Sequence, residues 1–576
     1  MKNILSIFLL SFLGFFTKAQ SYKVQWGDEM KVKKGSMDMD IVHADQTGVY
    51  MVEGRLKMKS YFVIGYSYGE DFKLYKFDPN YNIIYDKEYK KETKGLGFNS
   101  IQPLGDQLYL FAYDYKKKDK QYIIYGAKID NATGNLIGDM HELCTFDLES
   151  KKDDLDFVIK PSEDSTLWTV VGDITDDVSS RISVFVLDKN FSKKTSAIIN
   201  MGFAPGSFDL ESVTYTASNK ILVLGKEYEV TETGKKKRRT RTFKKYALTS
   251  YSNTGKKEKD IMLDAGEKYM IGGRLIPQKT GETYLTGFYC NTKARNIING
   301  IFIYKIDVGN GTVTQSAFQT VTADMMSKPL DDDNDKPDEK EDPKAKANEE
   351  TDDEGFSASF IIRNIIQRPG STSMLMVAEV YNFTQATYTT SSYNSFRKQW
   401  EYRTRTSFIF TSGDLLVINT DLGRNKINQV TIIPKNQIEM ISDYSGARDL
   451  PNTSNTVGTV AFFAKGGGMP FYSSTTPLLV NDKLIFLIND HTDNAAVKKP
   501  GDKVKTIKNF KKSTAYAISM DINTGEITRN ALLTNEDDPV LMPRFGFVSG
   551  NDIYMPAMRM KRIGKTEIKM GKISVK

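Results

Sequence analysis

The stretch GAKIDNATGN, Gly126 to Asn135, ends an apolar strand in an Asp and follows it with a turn rich in Asn and Gly. The phrase returns as YKFDPNYN from Tyr75, VFVLDKNFSK from Val184, IYKIDVGNGT from Ile303, VINTDLGRNK from Val417 and AISMDINTGE from Ala517, with a looser copy, YALTSYSNTGK, from Tyr246. Asp side chains bond nearby backbone amides, and Gly and Asn accept positive φ, so each copy reads as a turn between two strands. Asp78 and Asp130 stand 52 residues apart and Asp130 and Asp188 stand 58 apart. That spacing is close to the roughly 40 to 50 residue period of sheet repeats that close into rings.

Each unit parses as an inner strand, a long second strand, a hairpin, a third strand ending in the Asp phrase, and an outer strand. Second strands are read at YFVIGYSYG (Tyr61), QLYLFAYDY (Gln107), TLWTVVGDI (Thr166), KILVLGKEYEV (Lys220), TYLTGFYC (Thr283), SMLMVAEVYNF (Ser373) and KLIFLIND (Lys483). Their alternation suits sheets stacked face to face. Seven copies of the phrase predict seven units, but FGFVSG from Phe545, DIYMPAMRM from Asp552 and EIKMGKISVK from Glu567 supply one more set of strands. This set stops where the next Asp turn would fall, while SYKVQWGDEMKV from Ser21 is a strand without a unit. The reading is an all-β chain of about eight sheets, seven being the alternative, in which residues 22–33 close the ring as outer strand of the last sheet.

This arrangement resembles β-propellers over almost the whole chain. It lacks the Gly-His and Trp-Asp dipeptides of WD40 repeats, and the kelch-like pair Gly272-Gly273 does not recur. With only Trp26, Trp168 and Trp400, it also lacks the tryptophan-docking motifs of eight-bladed quinoprotein dehydrogenases. The leader and the Lys, Asn and Ile-rich style are similar to exported proteins of Bacteroidetes-type bacteria, a resemblance that carries over no active site.

Lys2, the apolar run Ile4 to Phe16 and Thr17-Lys18-Ala19 have the pattern of a signal peptide over residues 1–19, with cleavage near Ala19. The expectation is a single propeller domain over 20–576 in the periplasm or secreted, without a transmembrane anchor, since no later stretch approaches roughly 20 apolar residues. Cys144 and Cys290 fall in well-separated units and read as buried small hydrophobes. The formal charge of +7 includes an acidic run, Asp331 to Glu354, with 13 acidic and 4 basic residues. The rest of the chain is therefore basic, which favours anionic neighbours.

Four interruptions break the rhythm besides a disordered acidic insertion expected at 327–355. They lie near 235–245, 381–405, 435–458 and 489–512, and long insertions in a ring emerge from its faces, where function is grafted. The hairpin tip GKKKRRTRTFKK carries Lys235, Lys236, Lys237, Arg238, Arg239 and Arg241, with Lys244 beyond, able to grip phosphate or other acidic groups. A solvated tip that blocks edge pairing is the competing reading. Near 381–405, Tyr388, Tyr393, Trp400 and Tyr402 alternate with Thr, Ser and Arg, as suits a glycan or peptide surface or a two-stranded arm packing its own rings.

Catalytic motifs are missing. There is no G-x-S-x-G, His141-Glu142 has Thr145 where a zinc protease needs its second His, and the GKT at Gly564 has Arg559 where a phosphate loop needs Gly. His491 with Asp490 and Asp493 reads as a solvated loop, and the acidic run has Lys336 and Asp342 where an EF-hand needs Gly and Glu. No cofactor, metal or catalytic residue is assigned. The sequence thus points to a monomeric, exported, non-catalytic binding or scaffold propeller for a protein or glycan partner of the cell envelope, with no role for nucleic acid. A polysaccharide-active enzyme with carboxylates on a propeller face and a component of an envelope assembly are the alternatives.

Overall fold

The computed structural model describes residues 21–576 apart from 33–35, 62–64, 151–152, 163–164, 176–179, 205, 234–237, 279, 293–296, 331–355, 357–358, 369, 395–397, 443–469, 537–538 and 560–565. Eight antiparallel sheets follow one another along the chain as a β-propeller: 36–88, 97–147, 154–200, 208–261, 269–320, 360–433, 477–534 and 540–575, numbered here as blades one to eight. No α-helix interrupts them among the described residues.

The ring closes as the sequence predicts. Tyr22–Trp26 and Met30–Val32 pair antiparallel with Thr566–Val575, in register Tyr22↔Val575 and Met30↔Ile568, so the N-terminal strand becomes the outer strand of blade eight. Trp26 lies opposite Gly571, where an added Cβ would come within 2.3 Å of its ring, so only glycine admits the indole at that position. Joining both ends in one sheet ties up strand edges that would otherwise be open to a foreign strand.

One strand assignment is corrected. The second strand of blade one is Gly48–Tyr61, and of YFVIGYSYG only Tyr61 belongs to it, the residues from Gly65 on starting the third strand, Gly65–Phe77. Val49, Tyr50, Met51 and Val52 are buried in this strand, and that packing sets the register. Ser327 and Lys328–Pro329, at the border of the span expected to be disordered, are placed: the latter pair in parallel with Lys503–Val504. Residues 331–355, which hold the acidic run, lie outside the described residues.

Packing sits between blades. Tyr109, Phe111 and Trp168 of blades two and three meet edge to face at 4.7 to 5.2 Å, and Leu375, Leu415, Phe486 and Ile518 form one cluster between blades six and seven. Cys144 and Cys290 are buried in blades two and five and form no disulfide.

An up-and-down sheet sorts its connections by face. Turns joining first to second and third to fourth strands emerge on one face, the turn face; hairpins between second and third strands and the links between blades emerge on the other, the insertion face. All the Asp phrases lie on the turn face. Asp78 accepts the amides of Asn80 and Asn82 at 2.8 Å each, Asp188 those of Asn190 and Ser192 at 2.8 and 3.0 Å, and Asp521 those of Asn523 and Thr524 at 2.9 and 3.0 Å. Gly134, Gly311 and Gly525 take φ of +73°, +60° and +74° in three copies, whereas Tyr81 and Phe191 hold +67° and +65° in two. In those two the ring is packed against neighbouring strands, Phe191 lying 5.5 Å from Tyr109, and burial offsets the backbone strain.

The turns also clasp blade to blade. The Tyr50 hydroxyl lies 3.3 Å from the Asn131 carbonyl, Tyr109 donates to Lys189 at 2.9 Å, Tyr284 to Leu422 at 3.0 Å and the Asn419 amide to Ile522 at 2.8 Å. Each bond runs from one blade to the Asp turn of the next.

Candidate functional site on the insertion face

Blade six carries the longest hairpin. Ser373–Asn394 and Gln399–Asp421 pair along nearly their whole length, and above the sheet they form an arm to which Gln437–Ser442 adds a third strand, Ser407↔Ser442 to Ser412↔Gln437. The ladder slips between Glu379 and Tyr381, opposite Gly413-Asp414. A bulge of this kind bends a ribbon. Above it, Phe383, Phe408 and Phe410 pack in one cluster with Met39 of blade one, Phe471, and Met542, Phe545 and Met558 of blade eight. The arm therefore lies across the ring toward blades eight and one.

At its root the strand pattern inverts. Lys435, Gln437 and Glu439 are buried, while Met440 between the strand's end and Glu439 is 64% exposed. Lys435 Nζ donates to Glu379 Oε1 at 2.7 Å and to Gln437 Oε1 at 3.1 Å; Ser474 Oγ and Arg363 Nε donate to Glu379 Oε2 at 2.7 and 2.6 Å. Gln437 donates onward to the Asn489 carbonyl at 2.7 Å, and Asn489 donates to Tyr472 and Leu541 carbonyls at 2.9 and 2.8 Å. Glu439 accepts the amides of Phe471, Tyr472 and Ser473 at 2.8 to 3.0 Å. Asp414 accepts from the Ser327 hydroxyl and amide and from the Lys435 amide, and Asp490 pairs with Arg529, whose Nη2 donates to Pro434 O at 2.8 Å. Blades six, seven and eight and two connecting links are joined in one polar network.

Glu379 and Lys435 have fully buried side chains. Burial opposes the Glu379 charge, but Lys435 and Arg363 outweigh it and hold the carboxyl at about 2. Burial draws Lys435 below the usual ammonium range, with Glu379 opposing, and raises Asp414 despite its bonds from Ser327. With every Glu379 oxygen bonded, this cluster has no acid or base to spare for a substrate. It fixes the arm.

The residues singled out in the sequence lie on two blades. On blade six Tyr393 and Trp400 face each other across the strands at 5.6 Å, edge to face, and Tyr393, Trp400 and Tyr402 are 54%, 58% and 70% exposed. Tyr388 is paired along the backbone with Arg405. On blade four Lys235, Lys236 and Lys237 lie outside the described residues, and Arg238 and Arg239 pair along the backbone with Thr233 and Glu232. Arg241 is exposed but engaged, 2.7 Å from Asp209 and 4.0 Å over the Tyr228 ring, and Lys244 and Lys245 turn to Glu227. The described part of this tip is thus paired internally. His491 caps the short turn Thr492–Ala496, accepting from the Asp493 amide at 3.2 Å.

The root network escaped sequence reading. Its one local signal is Gln437 and Glu439 alternating with Ile438 and Met440 in the strand Gln437–Ser442, which places the polar row on the buried face only once the strand has found its partner.

No known protein family matches the chain, and no curated protein matches it. Solved structures share the fold. The β-propeller domain of the Trilobed protease from Pyrococcus furiosus aligns with 86% of this chain and 97% of its own at 10% identity and TM-score 0.31. The polysaccharide lyase Uly1 aligns over 96% and 99% at 10% identity and TM-score 0.31. Prolyl oligopeptidase B from Galerina marginata aligns over 63% of this chain at 12% identity and TM-score 0.25, and the alignment spans only 37% of that enzyme. These likenesses concern the ring of sheets and carry nothing about activity. Among the described residues, no helix is long and apolar enough to cross a membrane.

Proposed function

We propose that the chain is an exported, non-catalytic propeller that binds a protein or glycan partner of the cell envelope, with the blade-six arm as its gripping element. The observation behind this reading is the contrast within the arm: a root locked by buried charge and a tip that leaves Tyr393, Trp400 and Tyr402 to solvent. Large rigid rings beside hydroxyl and amide groups give contact area at small entropic cost, and a fixed root means little order is lost on binding. The ring is then a scaffold that sets where the arm points.

Shortening the arm by joining Thr387 to Thr406 through a two-residue turn keeps Phe383, Phe408 and Phe410 in place. The shortened chain keeps its thermal midpoint but loses capture of envelope proteins and glycans, and Trp400→Ala weakens capture in the same assay, whereas deleting 235–245 leaves it intact. Capture unchanged in the shortened chain defeats the proposal. Co-purification in a large complex would identify the partner as an envelope assembly.

One observation favours an enzyme instead. Asp173 stands directly opposite Asp156 in the ladder of blade three, and burial, with Asp156 and Asp209 adding and Ser180 opposing, pushes its carboxyl up to about 6. A raised carboxyl with a second carboxyl beside it is the condition for a general acid in sugar-bond cleavage. Release of reducing ends from acidic or neutral polysaccharides, abolished by Asp173→Asn, is the outcome that would put this reading first.

A further inference from the structure

We infer that the blade-six arm joins two copies of this chain, the outer edge of residues 382–394 pairing antiparallel with the same edge of a second copy about a two-fold axis at residue 388. The result is a dimer where the sequence suggests a monomer, and it does not depend on what the arm grips.

Topology supplies the edge. Ser373–Asn394 lies between the first strand of its blade, Phe360–Gln367, and the long strand Gln399–Asp421. The first strand accompanies it only as far as Phe360↔Val380, after which the Tyr381 amide donates to the Ser359 carbonyl at 2.9 Å. From residue 382 to the tip, no other strand among the described residues takes up that edge. Asn382, Thr384, Gln385, Ala386, Ser391 and Ser392 are exposed along it.

Exposed edges are normally blunted by charge, by Pro or by shortness, because an open row of backbone groups recruits foreign strands. The opposite edge of the same ribbon obeys this: residues 399–406, QWEYRTRT, include Glu401, Arg403 and Arg405. The outer strands Lys193–Asn200 and Lys257–Ile261 likewise begin with charged residues. Residues 382–394, NFTQATYTTSSYN, hold no charge, no Pro and no Gly in thirteen positions, and they are rich in Thr and aromatic strand formers. Such an edge is suited to receiving a strand.

The order of its residues selects the strand. Read from either end the stretch presents nearly the same series: Asn382 and Asn394, Phe383 and Tyr393, Thr384 and Ser392, Gln385 and Ser391, Ala386 and Thr390, Thr387 and Thr389, with Tyr388 at the centre. A two-fold axis at residue 388, the midpoint of the open edge, sets each residue opposite its counterpart in the second copy. Aromatic then faces aromatic and hydroxyl faces hydroxyl, combinations that stabilise facing strands. A slip of one residue in either direction puts Phe383 and Tyr393 opposite Asn, Ser or Thr instead. The contact is self-complementary and ends at two copies, since the far edge of each ribbon is the charged one. Trp400 and Tyr402 stand on the other strand and stay available to the partner proposed above.

The test is sedimentation equilibrium from micromolar to near-millimolar concentration. The natural chain shows a monomer–dimer equilibrium. Gln385→Lys combined with Ser391→Lys sets lysine opposite lysine at two symmetry-related places and raises the dissociation constant roughly tenfold. Gln385→Glu combined with Ser391→Lys sets opposite charges in the same places and dimerises at least as well as the natural chain. Within one chain the two positions are about 20 Å apart along the strand, so neither pair of substitutions meets itself. Trp400→Ala leaves the dimer intact although it weakens capture, which separates this inference from the gripping role of the arm. A natural chain that stays monomeric throughout, association beyond two copies, or equal dimerisation of the two double variants overturns the inference. Thermal midpoints establish that each variant is folded.

Discussion

The two faces of this propeller treat charge in opposite ways. On the turn face, Asp78, Asp130, Asp188, Asp307, Asp421 and Asp521 remain near water, and each accepts backbone amides within four residues of itself. On the insertion face, Glu379, Lys435, Asp490 and Arg529 are withdrawn from water altogether and pair with one another, Glu379 with Lys435 of the link after blade six and Asp490 with Arg529 inside blade seven. Repeated local turns cost little and build a ring. Burying ions carries a large desolvation penalty, and what it gains here is a fixed direction for one arm.

The largest test of that contrast is to remove one ion of the buried pair. Glu379→Ala or Lys435→Ala leaves its partner charged and unpaired, and urea unfolding registers a loss of about 3–5 kcal/mol. Replacing both with Met recovers much of it. A single substitution that costs as little as an ordinary surface change would mean that the root is not the lock described here.

Asp173 sharpens the comparison through pH. Its carboxyl is raised in the fold, so the folded chain holds that proton more tightly than the unfolded one, and its effect on stability is unfavourable once pH rises past about 6. Asp173→Asn should therefore be the more stable chain at pH 7, by on the order of 2 kcal/mol. The advantage fades as pH falls from about 6 toward 4, where the acid is protonated in both states. Thermal midpoints of both chains across that range measure it, and a constant difference would show that the carboxyl is not raised.

The smallest effect belongs to the turn face. Partial burial opposes the Asp521 charge, but the amides of Thr524 and Asn523 outweigh it and lower the carboxyl. Its stabilisation is present above the usual carboxylate range, and is lost as pH falls through the lowered value. Asp521→Ala costs about 1 kcal/mol at neutral pH, with little difference from the natural chain in strong acid. A loss as large as that of Glu379→Ala would erase the distinction between the faces.

How far the sequence can be read follows the same division. The Asp phrase spans eight to ten residues and contains its own bonding partners, so with its looser copy it marks seven of the eight blades without help from the rest of the chain, and the eighth follows from the strands left over at the two ends, Tyr22–Trp26 among them. The displaced second strand of blade one marks the limit of such reading, because GVYMV and YFVIGY are equally apolar runs and only packing against neighbouring blades selects the first. The tyrosine clasps were equally invisible: Tyr109 and the Lys189 carbonyl are far apart along the chain.

The exposed rings at Tyr393, Trp400 and Tyr402 were legible as an aromatic arm, since two strands joined by a short turn pair with each other wherever they are. The root was not. Arg363, Glu379, Lys435 and Ser474 come from four segments, and a Lys or Glu in a sequence is by default a surface residue. By itself, then, the sequence determined the all-β repeat, a ring of seven or eight blades and the closing strand, because those depend on alternation and on turns that satisfy their own backbone, while the structure decided for eight. Tertiary structure alone decided which charges are buried and which face carries the irregular segments' network, because desolvation and Coulomb attraction depend on distance in space, and strands remote in sequence acquire that distance only when the ring has closed.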